Sequence, residues 1–180
     1  MRPVRRSGPR GHFRAVIGGA DVRVVAVAPG DAEKVKALRL AALRGDPEGF
    51  GSTLAKEEAR PEGFWREWVE ASVGGEEQRT FVLDAGGVWG GMAMVRVWPE
   101  RPDEAELLAM YVAPEHRGGG GAARLCDACA AWAAERAVKV MVLAVYAGNG
   151  RARRAYEKCG FLVAGPEDGE LVRMERVVAD

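Results

Sequence analysis

The chain has 180 residues, 48% hydrophobic and 29% charged, which is enough apolar material for the core of one domain. Its 26 Lys and Arg balance its 26 Asp and Glu, so the formal net charge is zero and there is no surplus to neutralise the phosphates of a nucleic acid. The longest apolar run, residues 140–147, falls short of the roughly 20 residues that cross a bilayer, and three cysteines cannot all pair within the chain. The expectation is a cytoplasmic protein with neither a nucleic-acid nor a membrane partner.

Residues 1–20 read as a flexible Arg/Gly-rich arm. Arg2, Arg5, Arg6, Arg10 and Arg14 occur there without an acid, among Pro3, Gly8, Pro9, Gly11 and Gly18, and no apolar stretch follows that would form the core of a secretory signal. The domain is expected over residues 21–178. Residues 22–27 are β-branched and predict a strand, ended by Pro29-Gly30. Asp31 then predicts a helix N-cap, with Val35, Leu38 and Ala42 on one face and Gly45 as the C-terminal cap. Phe50-Gly51-Ser52-Thr53 follows the Asp46-Pro47 turn. A second helical segment, broken at Pro61, resumes with Phe64, Trp65, Trp68 and Val69 at helical spacing. These aromatics belong to the core or to a pocket wall.

A meander comes next: a strand over 80–83, a turn at Asp84-Ala85-Gly86-Gly87, a longer strand over 88–98, a turn over 99–103 and a strand over 106–112. In the last of these, Leu108, Met110 and Val112 are expected on one face and Leu107, Ala109 and Tyr111 on the other, both apolar, as in a central strand covered on both sides. A loop over 113–121 leads to a helix over about 122–136 with Leu125, Cys129 and Trp132 buried. A strand over 138–146 completes a βαβ unit, so the two strands should run parallel. A short helix over 150–158, closed by Gly160, precedes two last strands. The fold class is α/β of the α+β type, a single domain with a mixed sheet, antiparallel early and parallel at its centre, with helices on both faces.

The densest chemical signal is Val112-Ala113-Pro114-Glu115-His116-Arg117-Gly118-Gly119-Gly120-Gly121-Ala122. Glycines between a buried strand and a helix let the backbone turn with positive φ, and they expose the free N–H groups of the helix start to an anion, with a pyrophosphate as the natural guest. A Walker loop needs Gly-Lys-Ser/Thr, and Ala122-Ala123 stand there instead. A dinucleotide fingerprint belongs in a first βα turn, with an acid ending the next strand. This loop comes late, and the next strand ends in Tyr146-Ala147-Gly148. A flexible glycine loop with no ligand is the plain alternative.

Arg117-Gly118-Gly119-Gly120-Gly121-Ala122 resembles the Arg/Gln-x-x-Gly-x-Gly/Ala motif of the GNAT N-acetyltransferase superfamily. Asn149-x-x-Ala152-x-x-x-Tyr156-x-x-x-Gly160-Phe161 resembles a second block of that family, one strand further on. The glycine run stands where the family often has a Lys or Arg and an Ile. The resemblance covers roughly residues 22–177 in element order and implies acetyl-CoA as cosubstrate, an amine acceptor, no metal, and a central parallel strand pair that splays apart. It also implies that Arg117, Gly118, Gly119, Gly120, Gly121 and Ala122 hold the pyrophosphate, that the backbone of Met110 and Val112 meets the pantetheine arm, and that Asn149 contacts that arm or its neighbour. Tyr156 is implied as the acid that protonates the departing thiolate, and Glu106 as the base. A solvated glutamate and a buried core tyrosine are the plain readings of those two side chains. Dimers are common among such proteins, so a homodimer is an expectation. A non-catalytic CoA-binding sensor is the rival reading.

Three signals carry less. Cys126-x-x-Cys129 falls mid-helix and reads as two small buried cysteines rather than a redox or metal pair. His116 lies beside the glycine loop. Arg151, Arg153 and Arg154 form a basic cluster that meets a nucleotide phosphate or water.

Overall fold

A computed structural model of the protein describes residues 15–17, 20–166 and 169–178; the arginine-rich residues 1–14 lie outside that set. Eight strands form one sheet: β1 (Ala15–Ile17), β2 (Ala20–Ala26), β3 (Gln78–Ala85), β4 (Val88–Trp98), β5 (Arg101–Val112), β6 (Val140–Tyr146), β7 (Leu162–Val163) and β8 (Leu171–Val177). Their order across the sheet is β1-β2-β3-β4-β5-β6-β8-β7, and β5–β6 is the parallel pair. Residues 15–17, inside the expected arm, therefore form an edge strand paired with β2.

Helices α1 (Ala32–Gly45), α2 (Leu54–Glu58) and α3 (Phe64–Gly74) come before the meander; α4 (Gly121–Ala134) and α5 (Gly150–Lys158) come after it. Val35, Leu38 and Ala42 of α1 and Trp65 and Val69 of α3 pack on Val82, Met92 and Tyr111 on one face of the sheet. Leu125, Cys129 and Trp132 of α4, with Ala152 and Tyr156 of α5, pack on Leu107, Met141 and Leu143 on the other. The helical stripes read from the sequence are thus the faces that meet the sheet.

Several local signals act as their chemistry requires. Gly86 and Gly87 both have positive φ (68° and 98°), which closes the β3–β4 hairpin with the twist that a two-residue loop needs. Asp84 Oδ1 accepts the Gly87 N–H at 2.8 Å. Gly160 (φ 84°) ends α5 in the left-handed conformation. Gly45 does not: α1 runs through it and stops at Asp46, whose N–H donates to Ala42 O at 2.9 Å before Pro47. A Cβ at Gly45 would stand 3.6 Å from the Tyr111 hydroxyl, an ordinary contact, so neither handedness nor space requires glycine there.

The expected alternation along β5 fails at one residue. Met92 pairs with Tyr111 but Met94 pairs with Leu108, so two residues of β5, Ala109 and Met110, face Ala93 alone. Ala109 takes φ 52°, the strained left-handed conformation of a β-bulge. The bulge shifts the phase of the strand. Leu107 joins Met110 and Val112 on the α4 side, and Ala109 and Tyr111 join the α1/α3 side. The strand also starts earlier than expected, at Arg101, which shortens the preceding turn to Pro99-Glu100.

Candidate active site

The loop after β5 makes one 3-10 turn, Pro114–His116, in which the His116 N–H donates to Ala113 O at 2.8 Å. Gly118 (φ 80°) and Gly120 (φ 74°) then turn left-handed, and nothing lies within 4 Å of a Cβ built on either. Backbone handedness therefore selects glycine there, and the space in front is open. Gly121 is different: its Cβ would stand 2.7 Å from Leu83 Cδ1, so close packing of α4 on β3 selects it. The first intrahelical bond runs from the Arg124 N–H to Gly120 O at 3.1 Å. The N–H groups of residues 118–123 have no partner among the described residues. Unpartnered N–H groups at a helix start are the arrangement that favours an anion, and they make a candidate cradle for one. Arg117 flanks it, with Nε donating to Val112 O at 2.8 Å.

The cradle opens onto a wedge between strands. β5 and β6 pair only at Glu104–Val140, Ala105–Met141 and Glu106–Val142, and beyond Glu106 the two strands part. The Ala113 N–H donates to Gly90 O at 2.9 Å. The alternation of an antiparallel ladder then turns the N–H and carbonyl of Val112 away from β4, toward the side that β6 has left. The Val112 carbonyl is already engaged by Arg117, so this part of the expected open edge has a partner.

A cavity of about 550 Å³ fills the wedge. It is lined by Met110, Val112, Arg117, Gly118, Gly120, Gly121, Ala122, Asn149 and Tyr156, which the sequence motifs single out, and also by Tyr111, Asp46, Gly49 and Phe50. Gly119 and Glu106 do not line it. Arg151, Arg154 and Lys158 of α5 and His116 give the rim a basic character, answered by Asp46. Arg151 Nη2 bonds to Asp46 Oδ2, tying the end of α1 to the start of α5. A second hollow of about 530 Å³ between α3 and β4, lined by Phe64, Trp68 and Arg96 among others, has no cradle of this kind.

Asn149 caps α5 through Oδ1, which accepts the Ala152 N–H at 3.0 Å. Its side-chain oxygen is thus engaged with the helix end, and the same bond holds the first turn of α5 against the cavity. Tyr156, two turns on, packs edge-to-face on Phe161 with ring centroids 6.0 Å apart. Burial, and then the nearby Cys126, Cys159 and Asp46, push its phenol above the ordinary value of 10.0. Cys126, Cys129 and Cys159 are free and buried, as packing residues beneath it. Among the described residues no three His, Cys, Asp or Glu are grouped to hold a metal ion.

Glu106 stands apart from these groups. It is the last residue of β5 paired with β6, and it alternates with Ala105 and Leu107, so its carboxylate lies on the sheet face opposite α4 and Tyr156. Trp98 Nε1 donates to its Oε2 at 2.6 Å.

The acetyltransferase (GNAT) family model matches residues 41–161. The chain belongs to the GNAT acetyltransferase family. The match spans the cradle, the wedge and the whole of α5, and it makes the protein a transferase. The fold is found again in solved structures. The GNAT domain of S. lividans PAT superposes with a TM-score of 0.76 at 18% identity, over 95% of this chain and 99% of that one. YncA from Salmonella typhimurium, a putative acetyltransferase solved with acetyl-CoA, gives 0.69 at 19% identity, over 88% and 95%. Spermidine N-acetyltransferase from Vibrio cholerae, solved with CoA and spermine, gives 0.62 at 20% identity, over 87% and 95%. No curated protein matches in sequence. Among the described residues no helix of this GNAT protein is long and apolar enough to cross a membrane.

Proposed function

We propose that this protein transfers an acetyl group from acetyl-CoA to a primary amine by direct attack of the amine on the thioester. The observation that carries the reading is the row of unpartnered N–H groups at residues 118–123, set at the mouth of a wedge that leads to Tyr156. A diphosphate fits that row, and Arg117, Arg151, Arg154 and Lys158 supply positive charge around it. The strand edge at Met110 and the Val112 N–H suits an amide-bearing arm, which would pair with it as a further strand does. Acetyl-CoA, when bound, supplies an activated acyl thioester.

The chain's own groups then hold and move protons. Tyr156 stays protonated at neutral pH and is the donor to the departing thiolate. A lysine-type amine with a pKa of about 10.4 costs roughly 4–5 kcal/mol to neutralise at pH 7, and an α-amine near 7.7 costs about 1, so a side-chain amine needs a base. Glu106 takes that role from the opposite face of the sheet, at the point where the strands part. Acid and base thus stand on two sides of the opening through which an acyl group and an amine meet. The backbone N–H near Met110 is placed to stabilise a developing oxyanion.

The test is thiol release from acetyl-CoA over a panel of amines. Release that depends on the amine supports transfer. A rise in melting temperature with acetyl-CoA but no release with any amine supports a sensor instead. Protection by NAD or ATP and not by CoA rejects both.

A further inference from the structure

Arg39, on α1, has 7% of its surface exposed, and its Nε and Nη1 have no hydrogen-bond partner. A buried guanidinium with unpartnered donors is unfavourable and calls for a physical reason. Its neighbour Glu57, on α2, does not supply one. Glu57 is 3% exposed and bonds through Oε2 to Arg60 Nε at 3.1 Å, while Oε1 stands 3.8 Å from Arg39 Nη2, too far for a hydrogen bond. Two guanidiniums share one carboxylate, so the cluster keeps one positive charge unbalanced.

Phe50 covers Arg39. Its ring centroid lies 4.6 Å from the guanidinium carbon, and Phe50 also lines the cavity that contains the glycine cradle and Tyr156. Phe50 therefore touches both the buried guanidinium and the cavity, and is the residue through which the two adjoin. Phe50 sits in extended backbone between the 3-10 turn Pro47–Gly49 and α2, so rotation of its ring needs no helix to move.

We propose that Arg39 binds a carboxylate of the acceptor, which makes the acceptor an amine that also carries an acid group, a free amino acid or an analogue of one. Phe50 is the ring that this carboxylate passes to reach the guanidinium. The inference rests on acyl transfer to an amine. It adds which amines are taken and which residue selects them.

The test compares L-amino acids with their carboxamides as acceptors for acetyl-CoA. Each carboxamide keeps the amine and removes the negative charge. The wild-type protein is expected to favour the acids by about tenfold or more in kcat/KM, the scale of one charge-assisted hydrogen bond. In Arg39→Gln that preference should vanish through a raised KM for the acids, while kcat on the carboxamides holds. Arg39→Lys, which keeps the charge, should recover part of it. Equal use of acids and carboxamides by the wild type overturns the inference and leaves acyl transfer standing, and this comparison does not depend on any variant folding. A parallel loss on both acceptor sets in Arg39→Gln marks Arg39 as structural and also overturns it. Release with neither set, from a protein that acetyl-CoA stabilises against heat, overturns both readings.

Discussion

The Trp98 indole N–H donates to Glu106 Oε2 at 2.6 Å, from the strand next to the one that carries the glycine loop. Arg96 stacks on Trp98, its guanidinium carbon 3.9 Å from the ring, so the donor is itself held in place. The bond orients the carboxylate and leaves Oε1 without a hydrogen bond among the described residues, which suits a proton acceptor. Glu106→Gln keeps an oxygen for the indole, so its melting temperature should match the wild type. Its kcat should fall by about 100-fold or more, while KM for acetyl-CoA holds. An unchanged kcat removes Glu106 as the base.

Tyr156→Phe should lower kcat by about 100-fold and leave KM for acetyl-CoA within about twofold, since the ring and its packing on Phe161 survive. Full turnover in this variant rejects the acid assignment. The raised phenol pKa also predicts a pH effect on stability. Above about pH 10 the unfolded chain releases this proton while the folded protein keeps it, so stability falls as pH rises past that point. Urea titrations at alkaline pH should show a shallower fall in Tyr156→Phe than in the wild type.

Gly120→Ala isolates the backbone of the cradle. A Cβ there meets no atom within 4 Å, so the cost is the left-handed φ of 74° alone, about 1–2 kcal/mol. The melting temperature should drop by about 2–8 °C. KM for acetyl-CoA should rise several-fold, because an alanine relaxes toward negative φ and turns the N–H groups away. Calorimetry with CoA reads the second effect directly, and unaltered CoA affinity argues against the cradle.

Glu57 ties the acid stability of the protein to the Arg39 cluster. Burial pushes its carboxyl up, but bonds from Arg60 and Ser52 and the charge of Arg39 outweigh burial and hold it below its ordinary value of 4.5. The stability it contributes is present above that value and is lost as pH falls through the lowered one. The wild type should lose stability between about pH 5 and pH 3 more steeply than Glu57→Gln. At pH 7 the variant should be the weaker by about 3 kcal/mol, because it leaves buried positive charge unpaired. Chemical denaturation at both pH values checks the pair of effects.

Much of the fold was legible in short stretches. Gly86-Gly87 closes a hairpin and Gly160 ends a helix, and each acts through bonds within a few residues of itself. The cradle was legible too, because a strand, a glycine run and a helix are consecutive in the chain. The four glycines proved unequal: Gly118 and Gly120 serve handedness, and Gly121 serves contact with Leu83, a residue of another strand that no local pattern points to. Tyr111 and Asp46 were not legible as cavity walls, since each reads alone as a core or turn residue.

The residues by themselves determined the order of elements from β2 onward, the glycine loop before α4 and the spacing that puts Asn149 and Tyr156 on one helix, because these follow from backbone preferences over ten or fewer positions. Only the tertiary structure decided where β5 changes phase. Nothing in Leu107-Leu108-Ala109-Met110-Tyr111 marks Ala109 for a left-handed turn; pairing with β4 on one side and release from β6 on the other impose it. It likewise decided that Glu106 faces away from Tyr156, that Arg151 reaches Asp46 across 105 residues of chain, and that Arg39 Nε and Nη1 are buried without hydrogen bonds beside Phe50. Those relationships depend on which distant groups share a desolvated space, and that is a property of packing.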